Sequence, residues 1–286
     1  MVAADADIVY AFSSVSVGVP LWMSGLKHPK TLLRLGGDFL WERATDRGAT
    51  ESLCEWYRDR RWFQGVMNGI LRTFDHIVFS TSFQQELYEK VYQALPFHSV
   101  IENALPTAYP VLHTKHDPFR LLYLGRFVAF KNLPNVLLAL KELPGATLTL
   151  VGDGPLEPLL RRITEQEGLS DRVMFRPIMT GEEKRGLFLE HDLLVLPSYT
   201  EISPNTALEA RSNGLPVLLT QETGLSMQLS DAMQLRVLRT PRDIQNAVRE
   251  IEHTYDTVAH RHAIELPVRG WDAVAQDHMN LFRSLL

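Results

Sequence analysis

From Phe119 onward the chain alternates between short apolar runs and stretches that open with helix-start signals. The runs are Leu121 to Gly125, Thr147 to Val151, Val173 to Arg176, Leu193 to Leu196, Val217 to Thr220 and Leu235 to Leu238. Each is too short to be a helix, and each gap is long enough to hold one. The predicted helix starts are Gly154-Pro155, Thr180-Gly181-Glu182-Glu183 as a capping box, Ser203-Pro204 and Thr240-Pro241. This alternation leaves one economical solution, a doubly wound parallel sheet with crossover helices. Ligands of such sheets bind beyond the carboxyl ends of the strands.

One strand-loop-helix junction carries more polar chemistry than a connection needs. Pro197 to Val217 reads PSYTEISPNTALEARSNGLPV. Ser203 and Pro204 offer an N-cap and a first helical residue, and Gly214 ends the helix before the next strand. The first amides of a helix lack internal partners, so the backbone of Asn205 and Thr206 forms a candidate phosphate site. Glu209 shares a helix face with Asn205 and is suited to accept hydrogen bonds from a diol such as a ribose. Glu201, in the loop, is placed to reach hydroxyls beyond the phosphates. The plainer reading is a capped helix with two solvated glutamates.

Glu201 to Glu209 resembles the E-x7-E motif of the retaining, GT4-like glycosyltransferases of GT-B fold. Two further segments share the resemblance. Gly125-Arg126 to Lys131 resembles that family's G-R-x4-K segment, and Val151-Gly152-Asp153-Gly154-Pro155 resembles the strand-to-helix turn between the two motifs. The resemblance implies an α/β protein of two Rossmann-like domains that transfers a hexose-type sugar from a nucleoside-diphosphate sugar to an acceptor hydroxyl, with retention. Arg126 and Lys131 would then hold the diphosphate, where alone they read as solvated cations. Glu201 would hold the donor sugar and Glu209 the ribose. Ser203, Pro204, Asn205 and Thr206 would open the phosphate-binding helix. Gly125, Gly152, Asp153 and Gly154 would line the donor site, the glycines letting ligand approach the backbone. The groups around Arg176 and Ile178 would lie near the base. The family needs no metal or other cofactor and no protein nucleophile.

The N-terminal part fits that pattern incompletely. Ile8 to Phe12 reads as a short buried strand and Val15 to Ser24 as a helix broken near Pro20. Thr31 to Leu35 and Ile77 to Ser80 are further strands, and Thr81 or Ser82 caps a helix through about Gln93. Asn103 resembles the asparagine before the family's domain crossover, and Pro106 and Pro110 mark a linker. Residues 1–112 resemble only the later half of an acceptor-side domain, so the expected organisation is a partial N-terminal domain (1–112), a nucleotide-sugar-binding domain (113–270) and a terminal helix (271–286) packed back on the first. The expectation is a fragment or a shortened version of the fold, completed by a preceding segment or a partner chain. Asp38 is the acceptor-side candidate; its alternative is a cap for the Phe39-Leu40-Trp41 turn. Asp5-Ala6-Asp7 superficially matches a D-x-D metal motif but precedes a strand where that motif follows one.

At 286 residues, 45% hydrophobic and 22% charged, the composition is that of a globular chain of about two domains. A net charge of −5 gives no sequence-wide attraction to nucleic acid. Cys54 stands alone, and no run approaches the ~18 apolar residues of a membrane span. Cytoplasmic placement is therefore the default. The run Trp56 to Phe63 interleaves rings and cations, either as an amphipathic helix with buried rings or as a peripheral contact on an inner membrane face. The acceptor is a sugar, a lipid-linked group or a small molecule. Neither H-E-x-x-H nor G-x-S-x-G occurs, which argues against zinc and serine hydrolases. The remaining alternatives are a nucleotide-sugar-binding module without transferase activity and a nucleotide-sugar epimerase.

Overall fold

The computed structural model describes residues 6–25, 29–59, 63–104, 110–264 and 269–286. Asp5, Arg60, Arg61, Trp62 and Pro106 lie outside the described residues. The first half contains β1 (Ile8–Ala11), α1 (Gly18–Ser24), β2 (Lys30–Leu35), α2 (Phe39–Asp46), α3 (Leu53–Asp59), α4 (Gln64–Leu71), β3 (His76–Phe79), α5 (Ser82–Val91) and β4 (Phe97–Val100). Its strands form a parallel sheet in the order β1-β2-β3-β4. The central strands β2 and β3 are mostly buried, whereas β1 is only half-buried and Phe12 beyond it is 71% exposed. That corrects the expectation of a buried first strand. Pro20 also leaves α1 unbroken, because it sits in the first turn, where its missing amide would be unpaired anyway. Thr81 caps α5 through Gln84 N.

The second half begins with β5 (Phe119–Leu124) and a single 3-10 turn at Ala129–Lys131. It continues with α6 (Leu133–Lys141), β6 (Ala146–Val151), α7 (Glu157–Gln166), β7 (Val173–Arg176), α8 (Gly181–Glu190), β8 (Leu193–Leu196), α9 (Asn205–Ser212), β9 (Val217–Thr220) and β10 (Gln234–Arg236). Then follow α10 (Pro241–His253), α11 (Tyr255–His262) and α12 (Trp271–Leu285). The parallel sheet runs β10-β9-β8-β5-β6-β7, so the chain reverses direction across the sheet between β5 and β8. Strands β8 and β9 are buried at every position, as expected of a sheet covered on both faces.

The cap predictions divide. Thr240 and Asp243 form a reciprocal capping box, whereas Thr180 makes no side-chain cap bond and its predicted box does not form. The α9 cap is Pro204, with Asn205 as first helical residue, one position later than expected. The long helix expected after Thr240 is two helices. Thr254 leaves helical geometry, and its hydroxyl donates back to Glu250 O at 2.9 Å. Helix α12 lies on the N-terminal sheet: Val274 is buried with Val78, Ile101 and Ala104, and the Tyr10 and Phe282 rings are 5.4 Å apart. No helix among the described residues is long and apolar enough to cross a membrane. Trp56, Tyr57 and Phe63 are buried in the N-terminal core, so these rings belong to its packing and not to a membrane-facing surface.

Candidate active site

The reversal between β5 and β8 opens the crevice that parallel sheets use for ligands. Two chain segments leave the sheet there, residues 125–132 after β5 and residues 197–204 after β8. With the start of α9 they line a cleft of about 320 Å³, with Arg126, Phe130, Lys131, Thr200, Glu201 and Asn205 on its wall. The opposite wall comes from the N-terminal domain: Gly36 and Gly37 after β2, and Trp41 and Glu42 on α2.

Glu201 is 6% exposed and is held from several directions. Its backbone N–H donates to Glu222 O, and its carbonyl accepts from Gly224 N. Its Oε1 accepts from Ser198 Oγ and from Lys131 Nζ, both at 2.5 Å. Lys131 Nζ also lies 4.9 Å from the Phe130 ring centroid, and Trp41 packs on that ring from the other domain at 5.1 Å. Thr200 Oγ1 accepts from Leu53 N at 2.9 Å and donates to Glu222 Oε1 at 2.8 Å. The loop bearing Glu201 is thereby fastened to the amino end of α3. Arg126 is more open: its Nη2 reaches Glu42 Oε2 at 3.3 Å across the cleft. Burial pushes the Glu42 carboxyl up, with Arg126 opposing that shift.

The helix start behaves as an anion site should in part only. Proline as N-cap leaves the Asn205 and Thr206 amides without a side-chain cap. The Asn205 side chain, however, is engaged, accepting at Oδ1 from Asn103 Nδ2 at 2.8 Å; Asn103 also donates to Ser203 Oγ at 3.1 Å. Arg34 Nη2 donates in turn to Asn103 Oδ1, so the N-terminal sheet steadies the start of α9. Glu209 is ion-paired with Lys184 of α8.

Gly152 and Gly154 have φ values of 142° and 151°, and a Cβ on either would meet the 125–127 turn, at 2.0 Å from Gly125 O and 2.5 Å from Phe127 O. Their freedom therefore serves contact between two backbone turns, and Gly152 also lines the cavity beside Asp153. Asp153 O accepts from Phe127 N in the same contact. Asp153, Arg176 and Ile178 line a second cavity of about 500 Å³, beside Phe175 and Arg161.

Asp38 is placed differently from its acceptor-side expectation. It is 2% exposed, and its Oδ1 caps α2 through Trp41 N at 3.0 Å. Its Oδ2 accepts from the Tyr57 and Tyr88 hydroxyls. Burial raises the Asp38 carboxyl, and the phenols and the cap oppose that shift. The α2 carboxylate facing the cleft is Glu42, one turn further on. Glu42, Ser198, Phe130 and Lys184 were not singled out from sequence; only the Asp38 cap, which places a helix start just before Glu42, hinted at any of them.

Residues 109–265 match the model of the family described as glycosyl transferases group 1. The lipopolysaccharide core biosynthesis glycosyltransferase LpsD of Rhizobium meliloti is 33% identical over 135 residues, 46% of this chain and 39% of LpsD. Curated relatives are matched over 27% to 50% of their own lengths, so the chain spans half or less of them. Sucrose-phosphate synthase from Thermosynechococcus elongatus superposes with a TM-score of 0.79 at 20% identity, covering 98% of this chain and 73% of that one. Anabaena HepE, solved with UDP and glucose, superposes with a TM-score of 0.70 at 17% identity, covering 98% and 77%. The two parallel sheets and the cleft between them are thus a GT-B architecture, and the chain belongs to the group 1 glycosyltransferase family.

Proposed function

We propose that this chain transfers a sugar from a nucleoside-diphosphate sugar to an acceptor hydroxyl with retention at the anomeric carbon. The observation that carries this reading is the convergence of Arg126, Lys131, Glu201 and the start of α9 on one interdomain cleft at the sheet's reversal point. Breaking the sugar-phosphate bond leaves growing negative charge on the diphosphate. Fixed positive groups opposite that charge lower the barrier most, because they need no reorganisation as the bond breaks. Arg126, Lys131 and the Asn205 and Thr206 amides supply them. Glu201, clamped at backbone and side chain, orients the donor sugar, and Glu209 takes the ribose. The base sits in the cavity beside Arg176 and Ile178, where the walls offer backbone groups and the Phe175 ring. HepE, which was solved with UDP and glucose, supports a nucleoside diphosphate in this fold.

With cations and amides stabilising the leaving group, no metal is required, and chelation should leave turnover unchanged. The test is calorimetric titration with UDP, GDP, ADP and TDP, together with donor turnover, on the wild type, Arg126→Ala and Glu209→Ala. Selective binding of one diphosphate, weakened by both substitutions, is expected. Binding without any donor turnover would instead favour a nucleotide-sugar-binding module. Absence of binding to all four would overturn the donor-site reading.

A further inference from the structure

The cleft contains two cations and two carboxylates in facing pairs, Lys131 with Glu201 and Arg126 with Glu42. A diphosphate entering so balanced a site gains little unless a cation changes partner. The two pairs differ in how freely they can do so. Lys131 and Glu201 side chains are 15% and 7% exposed, at 2.5 Å, with Ser198 locking the carboxylate. Arg126 and Glu42 are 62% and 28% exposed, at 3.3 Å, and belong to different domains. Arg126 is therefore the cation able to swing.

Resting on the donor-site reading above, we propose that Glu42 is the acceptor-side carboxylate and that its ion pair with Arg126 couples the two substrates. The diphosphate draws Arg126 away, and the released carboxylate, still within a half-buried wall, takes a hydroxyl of the acceptor in place of the guanidinium. A half-buried carboxylate without a cation is costly, so the exchange favours an acceptor that donates hydrogen bonds and carries no negative charge. A neutral sugar has that chemistry; a sugar phosphate does not. Burial already pushes the Glu42 carboxyl upward while it is paired. Gly37 belongs to the same arrangement: a Cβ there would stand 2.7 Å from Glu42 Oε1, so this glycine leaves room for the carboxylate beside the cleft.

The experiment compares wild type, Glu42→Gln, Arg126→Ala and the double variant by calorimetry with UDP, GDP, ADP and TDP. Removing the competitor for Arg126 should tighten the preferred diphosphate about 2- to 5-fold, the range of a partly exposed ion pair, and the gain should shrink in high salt. In the Arg126→Ala background the same substitution should give a smaller gain, because only the carboxylate's repulsion and its interaction with Lys131 are then removed; an undiminished gain would overturn the coupling. Gly37→Ala, which displaces Glu42 without removing it, should reproduce part of the gain and guards against a folding defect in Glu42→Gln. Equal or weaker binding by Glu42→Gln, with wild type binding intact, would overturn the coupling alone. Failure of the wild type to bind any of the four would overturn the donor-site reading and this inference with it. For the acceptor, the matching nucleoside-diphosphate glucose is offered with neutral monosaccharides or their phosphate esters. Transfer to the neutral set that falls in Glu42→Gln is expected; preference for the esters, or no transfer to either, would overturn the acceptor class.

Discussion

The two halves of this molecule are both parallel sheets, yet they are held together and used differently. The C-terminal sheet reverses its winding between β5 and β8 and has a mainly aliphatic core, rich in leucine and valine with a few rings such as Phe119, Tyr123 and Phe127, around central strands β8 and β9 that are fully buried. The N-terminal sheet runs β1 to β4 in one direction among the described residues. Its core is aromatic, with Trp41, Trp56, Tyr57, Phe79 and Tyr88 gathered around the buried Asp38. The reversal gives the C-terminal half a crevice of its own, whereas the N-terminal half contributes a wall, through α2. The lesson is that a winding order makes a site where strands part, and a neighbouring domain refines it by what it can hold rigidly opposite.

The largest effects should come from breaking each core by its own means. Leu194→Ala, at a fully buried position of β8, should cost about 3 to 5 kcal/mol in a denaturant melt, from lost transfer energy and the cavity left behind. Asp38→Ala should cost about 2 to 4 kcal/mol, because it removes the α2 cap and the acceptor of two buried phenol hydroxyls, leaving Tyr57 only its bond with Tyr92. Asp38→Ala should also disturb the near-ultraviolet signal more than Leu194→Ala does, because most of the buried rings around Asp38 are tyrosine and tryptophan. If both variants altered that signal equally, the two cores would be one cooperative unit.

In the cleft, Lys131→Ala or Arg126→Ala should lower donor turnover about 100-fold or more, the cost of losing one preorganised charge at bond cleavage. Lys131→Ala should be the more severe, since it also leaves Glu201 buried without its cation. Turnover unchanged in both would remove the cleft from the chemistry. Acid should probe the C-terminal half separately. His262 is fully buried, and its Nε2 accepts from Val217 N while Nδ1 faces Val258 O. Burial, first, and the nearby Arg211 push its pKa down to about 4. A lowered histidine pKa means the unfolded chain takes up the proton first as pH falls. Its contribution is therefore present near neutrality and is lost between the unfolded value of about 6.5 and about 4, an effect of about 3 kcal/mol. His262→Gln should flatten that slope in melts taken across the window. The smallest effect belongs to Lys184→Met: it unpairs Glu209 and should change diphosphate affinity about 2- to 5-fold, by calorimetry.

Much of the C-terminal half was legible because its signals are local. Apolar runs bounded by glycine and proline marked its strands, and Thr240-Pro241 marked a helix start with a capping box. Local signals also misled where tertiary surroundings intervened. Thr180 had the residues of a capping box without forming one, and the pattern through His262 concealed the break at Thr254. The aromatic run at Trp56 left open whether its rings faced a core or a membrane, since helical spacing is the same for both.

Sequence alone determined the alternation of elements, the doubly wound class and the residues that form the β5 and β8 loops, because periodicity, caps and turns act over a few positions. Tertiary structure decided the strand order that turns those loops toward one crevice. It also decided the partners: Arg126 with Glu42 lies 84 positions apart in the chain, Lys131 with Glu201 lies 70 apart, and Asn103 reaches Asn205 across 102. Nothing in local propensity couples residues at such separations. Only the strand order within the C-terminal sheet and the N-terminal half set across the cleft decide which charges meet, and so which of them are free to change partner.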